Sequence, residues 1–343
     1  MEVKHTMHEM VGKIKRIFER AMKRRVYSNL VFKGGGVRGI AYMGALEQLE
    51  ARGVLDGIER VAGTSSGAIA ATLVSFRKSL PDTLALFNTL DLRQVPQKAA
   101  NGNGRNIVLL KNSANYTRLF ENFGWFSSQY FQDWLGEVIA GQCRGNRRAT
   151  FKDFQNFGFR DLHVVATNLS RHRAEAFSAH STPDVAVVDA VRMSMSIPLY
   201  FEALRFDGKR FGDGDYFVDG GLFNNYPIHL FDQPQFAKES RHYRDGINWE
   251  TLGLFLIPGN LHDPDNRDEP QNLWEFLDLT VRSIYDSHQV ANLVESVADK
   301  KRTIQIDDCG ITSTRFDISP ESPEFNCLYN AGKQAVIDFF GTE

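Results

Sequence analysis

Short apolar runs alternate along the chain with segments of helical spacing. Leu30-Val31-Phe32 runs into glycines, and Val37 to Leu49 behind it places apolar residues at the three- and four-residue intervals of an amphipathic helix. The unit then repeats, with a short strand through Val61-Ala62 followed by Ala68 to Val74, a helix of small and apolar residues. Pro81-Asp82-Thr83 opens a further helix, with Asp82 or Thr83 as its cap. Downstream, Asp161 to Leu169 reads as a buried strand, Asp184 to Met195 as a helix and Thr251 to Ile257 as another strand. Leu273 to Val297 reads as a long helix covering a sheet face. Strands alternating with helices predict an α/β fold in three layers, a mostly parallel central sheet with helices on both faces.

Two regions break this rhythm. Around residues 91–127 there is no clear period; Asn101-Gly102-Asn103-Gly104 and many polar residues suggest an insertion near the site, acting as a lid. Its aromatics Phe120, Phe123, Trp125 and Phe126, with Tyr130 and Phe131 just beyond, are candidates for an acyl pocket or for ordinary core. Residues 1–26 form the other exception. Met7, Met10, Val11, Ile14, Ile17, Phe18, Ala21 and Met22 recur at helical spacing, and Lys4, Lys13, Lys15, Arg16, Arg20, Lys23, Arg24 and Arg25 outnumber Glu2, Glu9 and Glu19. Such a basic amphipathic helix lies on an anionic membrane surface or packs on a protein surface.

Composition narrows the class. The chain has 343 residues, 42% apolar, and a formal net charge of -2, enough for a large core and without a global pull towards nucleic acid or anionic lipid. There is no signal-peptide h-region and no run of eighteen apolar residues, which predicts a soluble, cytoplasmic protein with peripheral membrane contact at most. Cys143, Cys309 and Cys327 are odd in number and widely spaced, so no disulfide framework is expected, a pattern that suits a reducing compartment. They also lack metal-ligand spacing. Gly212-Asp213-Gly214-Asp215 lacks the remaining features of an EF-hand loop and reads as a turn. Neither metal nor cofactor is implied, and the oligomeric state is not legible.

Candidate chemistry sits in three glycine-bearing segments. In Gly63-Thr64-Ser65-Ser66-Gly67 the flanking glycines suit a sharp strand-to-helix turn that exposes Ser65 at a helix N-terminus. In Gly34-Gly35-Gly36-Val37-Arg38-Gly39 several backbone N–H groups can converge on one developing negative charge. The spacing Gly34, Gly36, Gly39 also satisfies a dinucleotide fingerprint, but the next strand ends in Gly63-Thr64-Ser65 instead of an acidic residue. Asp219, ahead of Gly220-Gly221, is a carboxylate at the end of the apolar run Tyr216-Phe217-Val218, able to accept a serine proton if partly desolvated.

Those three segments, in this order and in these strand contexts, resemble the patatin-like phospholipases. Met193-Ser194-Met195-Ser196-Ile197-Pro198 and Phe316-Asp317-Ile318-Ser319-Pro320 extend the similarity, so that it covers roughly residues 27 to 341. The resemblance implies a lipid acyl hydrolase with Ser65 as nucleophile and Asp219 as general base, acting on phospholipid or another acyl ester without a cofactor. It further implies an oxyanion hole from the N–H groups among Gly34, Gly35, Gly36 and Val37. Arg38 would support the turn or steer a head group, and Gly39, Gly63, Gly67, Gly220 and Gly221 would shape the loops. The expected organisation is a basic helix at 1–26 and one catalytic domain at 27–343. Two other readings stay open: a Ser-Asp-His triad completed by His229, His242, His262 or His288, and a lipid-binding module with little turnover.

Overall fold

In the computed structural model the chain is described at residues 26–97, 118–257 and 296–341, with isolated positions between 270 and 283. The predicted helix at 1–26 therefore lies outside the described residues up to position 25, as do residues 98–117 of the insertion, most of the helix at 273–297, His262 and His288.

The central sheet has eight strands. They are β1 (Asn29–Phe32), β2 (Arg60–Thr64), β3 (Asp161–Asn168), β4 (Arg173–Phe177), β5 (Leu204–Phe206), β6 (Asp215–Asp219), β7 (Thr251–Ile257) and β8 (Thr303–Asp307). Their spatial order is β8-β7-β1-β2-β3-β6-β5, with β4 paired to β3 off that path. The neighbours from β8 to β3 are parallel, while β4, β5 and β6 pair antiparallel. The mostly parallel sheet expected from the alternating pattern is present.

Side chains of β1, β2 and β7 alternate between two cores, as period-2 geometry requires. Leu30, Phe32, Val61, Leu254 and Leu256 enter the larger cluster, whereas Val31, Ala62 and Phe255 enter the smaller one. The larger cluster is built with α1 (Ala41–Ala51), α2 (Ser66–Ser75), α3 (Gln129–Gln142), α4 (Val187–Ser194) and α5 (Pro323–Phe340). Among the described residues, the second face is covered by the 3-10 turns Ile228–Phe231 and Pro234–Phe236, through Ile228 and Phe231. Each fully buried Leu or Phe contributes about 1.5–3 kcal/mol, so these two layers fix the sheet between them.

Local expectations hold within a residue or two for β1, β2, β3, β7 and α2, and α4 starts three residues later than expected; there are three further differences. The helix predicted from Val37 begins as a 3-10 turn at Gly36–Ile40 and becomes α1 only at Ala41. The helix at Leu80–Asn88 is capped by Ser79, whose hydroxyl accepts from Asp82 N–H, so the cap precedes the two candidates named from sequence. Of the candidate acyl-pocket aromatics, Phe126 and Phe131 are core residues, whereas Phe120 and Phe123 are exposed.

The cysteine expectation is also corrected. Cys309 and Cys327 form a disulfide with Cα atoms 6.3 Å apart, and only Cys143 is free, buried in the core. Their spacing carries no hint of this, because Cys327, near the start of α5, meets Cys309 only once the chain has turned back towards the end of β8. The bond also removes the cysteine pattern as an argument for a reducing compartment.

Candidate active site

β2 and β6 meet end to end on one edge of β3, and this register builds the site. Residues 161–165 of β3 pair with β2 and residues 166–168 with β6, while the opposite edge is taken by β4. Thr64 is therefore opposite Val165, and Asp219 is opposite the next residue, Ala166. Ser65 leaves β2 where Asp219 ends β6 coming from the other direction.

Ser65 occupies φ 54° and ψ -126°, a left-handed backbone that a Cβ makes costly by about 1–3 kcal/mol. The surroundings enforce it. Ser65 N–H donates to Ser194 Oγ at 2.8 Å, and the Ser194 hydroxyl in turn donates to Val165 O at 2.6 Å. Ser65 O accepts from Ala68 and Ile69 N–H at the start of α2. A Cβ on Gly67 would lie 2.4 Å from Phe32 O, so only glycine lets α2 sit this close to β1. With the helix starting directly behind it, Ser65 is followed by the Ser66 and Gly67 amides, which have no intrahelical acceptor.

Asp219 is held by the same small-residue segment. Its N–H donates to Ser196 O at 2.7 Å, and Gly220 N–H donates to Ser194 O at 3.2 Å. Oδ1 accepts from Gly221 N–H at 2.7 Å, while Oδ2 is buried without a hydrogen-bond partner. The residue is 1% exposed and Ser65 6%. Burial pushes the Asp219 carboxyl up to about 7, a rise moderated by the Ser65 hydroxyl and by Gly221 N–H. The serine thus acts on the carboxyl without completing a hydrogen bond of ordinary geometry to Oδ2, the looseness expected before substrate binds.

The glycine loop sits between these groups. Of the four amides named from the sequence, three are committed inside the protein: Gly34 N–H to Asn225 O, Gly35 N–H to Ser66 Oγ at 3.0 Å, and Val37 N–H to Ser313 O. Gly36 N–H has no partner among the described residues. The loop thus folds onto its scaffold with three of these donors and leaves one without a partner among the described residues. Gly36 has φ +58°, and a Cβ there would lie 2.1 Å from Ser313 O, so the loop needs glycine twice over.

Arg38 is buried against the glycine turn. It is 4% exposed; its Nε donates to Gly35 O at 2.9 Å and its Nη1 to Asp308 Oδ2 at 2.7 Å. Ser194, Ser196, Asn225, Asp308 and Ser313 are the site residues that sequence reasoning missed in these roles. Only Ser194 and Ser196 carried a signal, being small polar residues in an otherwise apolar helical run. Replacing Asp308 with Ala leaves Arg38 buried without its carboxylate, so we expect a lowered melting temperature and a fall in kcat of roughly ten- to a hundredfold. Ester turnover and thermal denaturation of D308A check this, and unchanged values for both would refute it.

The described histidines that might complete a triad are elsewhere. His229 is placed between Asp232 and Asp299, and His242 bonds Glu250 at 2.8 Å. Glu250 and Asp299 precede β7 and β8, at the end of the sheet away from Ser65. Two proton acceptors around His229 push its pKa up to about 9, so at neutral pH it is a cation in a salt-bridge cluster.

The chain is similar to several known proteins in sequence and in fold. A protein of Acanthamoeba polyphaga mimivirus, itself uncharacterised, is 26% identical over 316 residues, covering 90% of this chain and 93% of its own. A probable lipid hydrolase of Invertebrate iridescent virus 6 is 27% identical over 61% of this chain and 65% of its own. Among solved structures, VipD from Legionella pneumophila superposes with a TM-score of 0.55 at 17% identity, over 92% of this chain and 66% of that one, a likeness of fold. The family sequence model described as patatin-like phospholipase matches residues 30–232, a span that includes the glycine loop, the Ser65 elbow and the Asp219 turn. The chain belongs to the patatin-like phospholipase family.

Proposed function

We propose that this protein hydrolyses fatty-acyl esters, in the manner of a phospholipase A or lysophospholipase, through a Ser65–Asp219 dyad. The observation that carries the reading is the buried Asp219 carboxyl, its Oδ2 unpartnered and its pKa brought to about 7, beside a serine held at a strained elbow. Asp219 takes the Ser65 proton as Oγ attacks the ester carbonyl, and the charge that builds on the carbonyl oxygen falls to Gly36 N–H and the first-turn amide of Ser66. Collapse expels the alcohol with the proton from Asp219, leaving an acyl-serine. Asp219 then activates the water that releases the fatty acid.

The loop at Asp308–Ser313 backs the glycine loop from outside the matched segment, which supports taking residues 27–343 as one catalytic unit. A phospholipid or related acyl ester as substrate follows from the family.

A fluorophosphonate probe followed by peptide mapping tests the proposal. The expected adduct is on Ser65, with a labelling rate that rises as pH increases through 7. Folded protein that takes no adduct at Ser65 would refute the reading.

A further inference from the structure

The end of the sheet opposite Ser65 carries a cavity of about 290 Å³. Its walls include Arg60 and Asp161, the first residues of β2 and β3, together with Arg77, Phe154, Phe159 and Arg160. Arg60 stands five strand positions before Ser65, roughly 16 Å away, so this cavity and the elbow are separate sites.

Its charge is unbalanced. Both acidic wall residues are already engaged, Glu59 with Lys238 at 2.9 Å and with Arg60 at 3.7 Å, and Asp161 with His163 at 3.0 Å, which leaves Arg77 and Arg160 as the wall cations with no carboxylate partner among the described residues. The Arg160 guanidinium donates only to neutral carbonyls, those of Ile58, Val74 and Leu55. Arg77, just past α2, has an exposed side chain with no ion-pair partner among the described residues. The two arginines repel each other: burial first, then the Arg77 charge, lowers the Arg160 pKa to about 10, against a weaker opposing pull from Asp56. Beside them, Phe154 and Phe159 pack edge to face with ring centroids 5.2 Å apart and supply an apolar wall.

We propose that this cavity is a second ligand site, for a small organic anion: a carboxylate or phosphate on an aromatic or short apolar body. Two guanidinium groups with no ion-paired carboxylate among the described residues match a planar or tetrahedral oxyanion, and an anionic head would relieve the repulsion between Arg77 and Arg160. The aromatic wall accounts for the body. At the low end of the range for ligand pockets, the volume suits one ring or a short chain and not an intact phospholipid.

Calorimetry on the full chain with phenyl phosphate, benzoate and inorganic phosphate tests it. Phenyl phosphate or benzoate should bind at one site, and the tighter of the two identifies the head group. Inorganic phosphate should bind at least about tenfold more weakly, for want of the apolar contact. Arg77→Glu, and more mildly Arg77→Ala, should weaken the organic anion by about tenfold or more while ester hydrolysis is unchanged, since Arg77 has no partner to lose. The proposal is overturned if neither organic anion saturates a site, if inorganic phosphate binds as tightly, or if both Arg77 variants bind like the wild type.

Discussion

Asp219→Asn is expected to lower kcat for a soluble ester by on the order of 10³-fold or more and, at neutral pH, to raise the stability of the fold. Both effects come from one cause. Burial moves the carboxyl from its ordinary range near 4 up to about 7, which makes it a usable base and a destabilising charge. The sign follows from proton binding. Between pH 4 and 7 the folded protein keeps the Asp219 proton that the unfolded chain releases, so stability falls as pH rises through that window and is level above it. Roughly three pH units at about 1.36 kcal/mol each gives a contribution on the order of 4 kcal/mol, which an uncharged asparagine does not incur. The melting temperature of D219N should therefore match that of the wild type near pH 4 and exceed it increasingly up to pH 7. Wild-type kcat/KM should fall about tenfold per pH unit below 7. Turnover that is flat from pH 5 to 8, or a D219N protein less stable than wild type at pH 8, would contradict this account.

Ser65→Ala and Ser65→Gly should both abolish turnover, by on the order of 10⁴-fold or more, yet differ in stability. Alanine removes the nucleophile and keeps the Cβ that strains φ 54°, so S65A should melt within a degree or two of the wild type. Glycine removes the strain as well, and S65G should be more stable by about 1 kcal/mol, less the cost of a freer unfolded chain. An S65G protein less stable than S65A by the full cost of a freer unfolded chain, about 0.4–1 kcal/mol, would mean that the elbow is not strained. Residual hydrolysis by S65A within tenfold of the wild type would remove Ser65 as nucleophile.

The three glycine-bearing segments were legible in the sequence because each answers a local requirement. Gly67 must let α2 approach the carbonyls of Phe32 and Lys33, Gly36 must adopt a positive φ, and Asp219 must end a strand before a turn. The alternation of strand and helix was legible for the same reason, since it depends on which side of one element faces apolar neighbours. Asp82 and Thr83 were read as caps for want of one residue, Ser79, and helix ends are where such reading is weakest.

What the tertiary structure alone decided concerns residues far apart in the chain. Asp308 reaches Arg38 across 270 residues, and Thr64 lies one strand position from Asp219 only because β2 and β6 share an edge of β3. Which amides of the glycine loop stay free depends on Asn225, Ser66 and Ser313 arriving to occupy the others. Whether a carboxyl is a base near neutral pH depends on how completely it is buried, and that was settled when β2 and β6 met on one edge of β3. Local chemistry is written in the order of residues, because steric limits on the backbone act between neighbours. Desolvation and the competition for hydrogen-bond donors act through space, so only the folded chain determines them.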